Sequence, residues 1–151
     1  MDKIIICDTR EKKNKHILDY FEKNNQDYII SKLDTGDYMY YKDYSTIIDK
    51  KDGLLELSYN LCRQAEHDRV VKEIELAHSL GCSNFIFLVQ ENIKSENDIK
   101  NWSSPHTKVK GETLLKVLKT FAEHHNCRFI FCERKKMGER IIELLGGENE
   151  R

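Results

Sequence analysis

A chain of 151 residues with 39% hydrophobic and 34% charged residues has the length of one domain, which buries roughly 68–70% of its unfolded surface. That composition excludes a disordered chain. With no apolar run near the ~20 residues of a membrane span and no apolar leader, no membrane partner is expected and the chain reads as cytoplasmic. The net charge of −1 argues mildly against a general nucleic-acid coat and is silent on contacts made by local basic groups.

The apolar run at 3–7 predicts a strand buried on both faces, and residues 13–24 predict an amphipathic helix. Residues 28–33, 36–41 and 44–51 read as three strands joined by tight polar turns. A long helix is expected over 61–80, with Gly81 as its C-cap. A strand follows at 85–89. A polar loop over 101–110 holds the only proline, Pro105. Leu114, Leu115, Leu118, Phe121 and Ala122 give a helix near 113–125 one apolar face. A strand at 129–132 and a helix over 136–145, stopped by Gly146-Gly147, complete the chain. The order predicts an α/β protein with a mixed central sheet flanked by helices on both faces. Cys7, Cys62, Cys82, Cys127 and Cys132 form no CxxC pair and are odd in number, which favours buried reduced thiols. The six histidines show no metal-ligand spacing; His124 and His125, about 100° apart on a helix, do not share an ion.

The stretch Gly36-Asp37-Tyr38 … Ile48-Asp49-Lys50-Lys51 carries the chemistry. A hairpin centred on residue 43 sets Asp37 opposite Asp49 and Met39 opposite Ile47, with opposed Cβ atoms about 4.5–5.5 Å apart. Lys51 shares the face of Asp49 by strand alternation. Two opposed carboxylates repel unless a cation neutralises them, and Mg²⁺ takes one or two carboxylates plus water and phosphate oxygens. Such an ion polarises a phosphodiester, and Lys51 can orient or deprotonate water or stabilise a phosphorane. The plainer reading makes Asp37 a turn residue and Asp49-Lys50-Lys51 a solvated edge. Asp8-Thr9-Arg10-Glu11 lies where the first strand ends. Asp8 and Glu11 form a capping box for the first helix, reach an active site, or do both.

In these segments the chain resembles the nuclease domain of the XPF family, structure-selective endonucleases of the PD-(D/E)XK superfamily. That family carries D-x-R-E after its first strand, then G-D-Y, then E-R-K-x-x-x-D. Here these are Asp8-Thr9-Arg10-Glu11, Gly36-Asp37-Tyr38 and Asp49-Lys50-Lys51, in order and correctly spaced. The resemblance implies a restriction-endonuclease-like fold over 1–151, Mg²⁺ or Mn²⁺ dependence, and hydrolysis of phosphodiesters in DNA. It makes Asp8, Asp37 and Asp49 metal ligands, and Lys51 the catalytic lysine. Glu11 assists directly or through water, and Arg10 contacts phosphate or braces the site. Asp49 stands for the family's glutamate and Lys50 for its arginine, which loses bidentate phosphate recognition. Leu55 stands for the downstream aspartate, and Glu56 offers a carboxylate one residue late. The family's tandem helix-hairpin-helix domain has no counterpart, so a stand-alone nuclease domain is expected, nucleoid-associated and active on flaps or branches.

Arg10, Lys50, Gln64 and Arg69 are the candidate DNA-phosphate contacts. Arg63, Gln64, His67 and Arg69 equally suit a solvated helix face. Lys108, Lys110, Arg134, Lys135 and Lys136 are phosphate contacts or scattered surface charge, and Trp102 stacks on a base or anchors the core. The main alternative function is a weakened DNA-binding or dimerisation module; a second is an RNA or junction substrate. The resemblance also implies a homodimer, for which the apolar faces at 113–125 and 136–145 are the candidate surfaces, unless either only covers the sheet.

Overall fold

The continuous apolar runs at 3–7, 85–89 and 129–132 become strands of a sheet covered on both sides. The structure, a computed structural model, describes residues 3–147. Six strands form one sheet: β1 (Ile5–Cys7), β2 (Tyr28–Ile30), β3 (Tyr38–Tyr40), β4 (Asp43–Lys51), β5 (Asn84–Gln90) and β6 (Cys127–Cys132), in the order β2-β1-β3-β4-β5-β6. β3 is antiparallel to β1 and β4, and the remaining pairs are parallel. This is the mixed sheet expected from the sequence.

Alternation along the central strands divides the core. Ile47, Phe85, Phe87 and Val89 face one side, under α2 (Leu54–Cys62), α3 (Gln64–Ser79), α4 (Glu96–Lys100) and α5 (Gly111–His125). Ile5, Cys7, Ile48, Ile86 and Leu88 face the other, under α1 (Lys15–Lys23) and α6 (Met137–Leu145). No helix among the described residues is long and apolar enough to cross a membrane. All five cysteines are free, and four are buried.

Several expectations are corrected. The helix expected over 61–80 is two helices, α2 and α3, broken where Arg63 turns extended at φ −103°, ψ 125°. No glycine or proline marks that break. Each helix buries its own apolar set instead, Leu54, Leu57 and Leu61 on α2 and Val70, Ile74 and Ala77 on α3. The first helix starts at Lys15 behind Asn14, so Asp8 and Glu11 do not cap it. Gly81 does take a left-handed φ of 103° past the end of α3, where an α-helix is closed by a glycine. Trp102 packs against the core. The apolar faces of α5 and α6 are turned onto the sheet, where Leu114, Leu118, Met137, Ile141 and Leu144 are buried. Those residues cover the sheet, the second role the sequence allowed them.

The β3–β4 hairpin has two registers. Tyr38 pairs with Ile48, as a hairpin centred on residue 43 requires, but Tyr40 pairs with Asp43. Three extra residues are therefore accommodated in β4 between these pairs, and the chain reverses at Tyr41-Lys42, with Lys42 at φ 62°. Irregularities of this kind raise local twist and re-aim side chains.

Ile86 is wholly buried, whereas Ile30 on the edge strand is 56% exposed. Ile86→Ala should lower stability by about 2–5 kcal/mol in urea denaturation, and Ile30→Ser by less than about 0.5 kcal/mol. Equal effects at the two positions would refute the two-sided burial of the central strands.

Candidate active site

Asp37 sits one residue beyond the last β3–β4 ladder pair. Its N–H donates to the Ile48 carbonyl at 2.8 Å, and its own carbonyl accepts the Asp8 N–H at 2.9 Å. Asp37 Oδ2 accepts the Lys50 N–H at 2.7 Å. The preceding Gly36 makes this possible. It has φ +77°, and a Cβ there would collide with Ile47 Cγ2. β4 then presents Asp49 and Lys51 on the same side of the sheet as Ile47. The carboxyls of Asp37 and Asp49 lie in hydrogen-bonding contact. They meet through an irregular strand end, not through the direct cross-strand pairing expected.

Burial first, and the Asp49 carboxylate second, push the Asp37 carboxyl well above its ordinary range. Lys51 Nζ lies 3.5 Å from Asp49 Oδ1, with its side chain 7% exposed, and 5.8 Å from the centre of the Phe87 ring. Burial pulls this ammonium down, but the carboxylates of Asp49, Glu56, Glu73 and Asp37 outweigh it and raise its pKa. Lys51 is thus held as a cation.

These groups line a polar cleft of about 320 Å³, which Asp8, Glu11, Glu56 and Glu73 also border. Glu73 is the residue that sequence reasoning missed. It projects from α3, its carboxyl is raised by burial and by contact with Asp49, and its backbone carbonyl accepts the Thr35 hydroxyl at 2.8 Å. No motif marks it, and only its position on the α3 turn above β4 identifies it. A larger groove of about 940 Å³ lies along β6, floored by Leu115, Leu118, Phe129 and Phe131; none of the motif acids borders it.

The other expected residues separate into groups. Asp8 is 3% exposed and its oxygens are already filled. They accept the Leu33 N–H at 2.8 Å, the Arg10 N–H at 3.2 Å, and the Arg10 guanidinium at 2.9 and 3.2 Å. Burial pushes Asp8 up, but those donors prevail and leave it below the usual carboxylate range. These hydrogen bonds make Asp8 a brace for Arg10 and the Leu33 backbone. Arg10 also donates to the Leu33 carbonyl at 2.8 Å, yet its side chain stays 63% exposed at the cleft rim. Glu11 accepts the Tyr38 hydroxyl at 3.4 Å, and burial, outweighing Lys50, raises its carboxyl. Glu56 accepts the Asp52 N–H at 2.6 Å. Lys50 is enclosed, with a side chain 1% exposed.

Among the expected helix residues, Arg69 borders the cleft, 3.3 Å from Glu73. Gln64 instead donates to Asp68 at 2.8 Å on the outer surface, and Arg63 stacks on Tyr59. His67 packs edge-on to Phe121.

A cation fits the Asp37–Asp49 pair chemically. Two hard oxygen donors repel each other there, and Mg²⁺ needs only one or two carboxylates, with water and phosphate completing its shell. Among the described residues no group of three or more His, Cys, Asp or Glu side chains is already posed as a full cage.

The raised Asp37 carboxyl implies that the folded chain binds this proton more tightly than the unfolded chain. Stability then falls as pH rises from about 3.8 through the raised value. In EDTA near neutral pH, Asp37→Asn should therefore raise Tm in thermal denaturation. Saturating Mn²⁺ should favour the unsubstituted chain and erase that advantage. A loss of stability on Asp37→Asn in EDTA would contradict the like-charge account.

A family model for the ERCC4 domain matches residues 7–145. Two solved structures superpose on 98% of the chain. One is XPF from Aeropyrum pernix, with TM-score 0.66 and 14% identity. The other is XPF from Aeropyrum pernix in complex with DNA, with TM-score 0.67 and 13% identity. The chain spans 66% of the length of each of those chains. No match was found among curated proteins.

Proposed function

The chain belongs to the ERCC4 domain family, and on that premise we propose that it is a Mg²⁺- or Mn²⁺-dependent endonuclease that hydrolyses phosphodiester bonds in DNA. The observation that carries the reading is the contact between the Asp37 and Asp49 carboxyls in a cleft beside the Lys51 ammonium. That a protein of the same fold is described in complex with DNA favours DNA as the substrate.

Asp37 and Asp49 would hold the cation, with Glu73 the nearest further carboxylate. A divalent ion there supplies polarisation of the phosphodiester and a stronger water nucleophile near neutral pH. Lys51 stays protonated among its carboxylates, so its part is to donate hydrogen bonds and stabilise negative charge building on the phosphorane. It is poorly suited to take a proton from water while those acids surround it. Arg10 and Arg69, exposed at the rim, are the side chains placed to contact backbone phosphate. Asp8 anchors Arg10 and the Leu33 backbone, which keeps that rim in place. Preference for flap or branched DNA follows from the family resemblance and is read out in the same assay.

Purified chain incubated with flap, fork, gapped and linear DNA should cut in Mg²⁺ or Mn²⁺ and not in EDTA. Asp49→Asn and Lys51→Ala should each reduce the rate by at least about 100-fold. Cleavage that survives both substitutions would remove the assignment. Binding without any cleavage by the unsubstituted chain would instead make it a DNA-binding module of the same fold.

A further inference from the structure

Strand alternation sends Lys50 to the face of β4 opposite Asp49 and Lys51. Its side chain is 1% exposed, and a buried charge persists only where partners replace its water. Those partners come from two separate loops. Lys50 Nζ lies 2.6 Å from Asp52 Oδ1, in the link between β4 and α2. It lies 3.2 Å from the Lys13 carbonyl and 3.6 Å from Glu11 Oε2, both in the link between β1 and α1. Glu11 is tied onward to Tyr38, whose hydroxyl also accepts a hydrogen bond from Asn14 at 3.2 Å.

The backbone of the same residue serves the other face. Its N–H donates to Asp37 Oδ2 at 2.7 Å, and the residue pairs with Leu88 in the ladder to β5. One residue therefore fixes two loops through its side chain and one of the cleft carboxylates through its amide.

We propose that Lys50 is a positioning residue for the metal site: its buried ammonium locks the β1–α1 and β4–α2 links together, so that its own N–H keeps the Asp37 carboxylate beside Asp49. The inference rests on the metal-site reading above. It displaces the phosphate contact expected at this position, because an ammonium without exposed surface cannot meet a DNA backbone. Residues that orient ligands from behind typically govern metal affinity by 10- to 100-fold, and small misplacements of reacting groups reduce turnover by about 100-fold.

The test compares Lys50→Met, Lys50→Arg and Asp52→Asn with the unsubstituted chain. Mn²⁺ affinity is measured by EPR of the free ion, kcat and KM on a fork DNA, and the salt dependence of fork binding in EDTA. Lys50→Met should weaken Mn²⁺ binding roughly 10- to 100-fold and lower kcat about 100-fold. KM and the salt slope should stay as they were, and Lys50→Arg should restore most of both losses. A salt slope reduced by about 1, with raised KM and unchanged Mn²⁺ affinity, would make Lys50 a phosphate contact and overturn the proposal. So would a Lys50→Met variant equal to the unsubstituted chain. If Lys50→Met does not fold, Asp52→Asn decides: its Mn²⁺ affinity should fall, and an unchanged affinity would refute the lock. A chain that binds Mn²⁺ but cuts no DNA defeats the nuclease reading alone, and the Mn²⁺ comparison still decides Lys50.

Discussion

Two acidic side chains in contact, Asp37 and Asp49, are the constraint around which this protein is arranged. Like charges in a partly buried cleft repel strongly and drive at least one carboxyl towards its neutral form. The surroundings oppose their separation at each point where Asp37 could move away. Its N–H is tied to β4, its carbonyl to the end of β1, and its carboxylate to the Lys50 amide. The left-handed turn at Gly36 leaves no room for another residue type. A cation of the kind proposed would relieve the repulsion that these tethers maintain.

β4 makes the site possible by changing character along its length. Ile47 and Ile48 place apolar groups on both faces of the sheet and anchor the strand between two cores. The next three residues are charged and still buried. Their alternation gives the cleft two groups, Asp49 and Lys51, and gives the loops behind it one, Lys50. The parallel ladder to β5 continues through all three residues, so the strand keeps its geometry after the apolar packing ends.

The basic residues of the site differ by environment more than by type. Lys51 is kept protonated by the acids around it. Lys50 has the same chemistry but no access to solvent, and it joins loops. Arg10 is bound to Asp8 through its fork of donors, yet most of its surface is exposed, which leaves it available at the rim. Substituting lysine for arginine or the reverse would act differently at each place, since only a guanidinium offers planar, bidentate recognition.

Much of this was written locally in the chain. The strands β1, β5 and β6 are legible because buried strands need uninterrupted apolar runs, and β2, β3 and β4 because tight polar turns bound them. That Asp49 and Lys51 share one face follows from period-two alternation, and a hairpin returns Asp37 to that end of β4, although an irregular strand end makes the contact. What local pattern could not decide was settled by contacts between distant segments. Three residues taken up inside β4 shifted the hairpin register near its turn without moving the acids, because Tyr38 and Ile48 are both fixed in the core under α1 and α6. The break at Arg63 arises because α2 and α3 each turn an apolar face onto the same layer, with no breaker residue to announce it. Asp8 had the spacing of a helix cap, but the helix begins at Lys15, and folding brings the Leu33 N–H 25 residues away to its carboxylate instead. Glu73 enters the cleft solely because α3 crosses above β4. Alternation and composition are properties of neighbours in sequence; loop closure and helix docking depend on which distant surfaces fit, and only the folded chain contains that information.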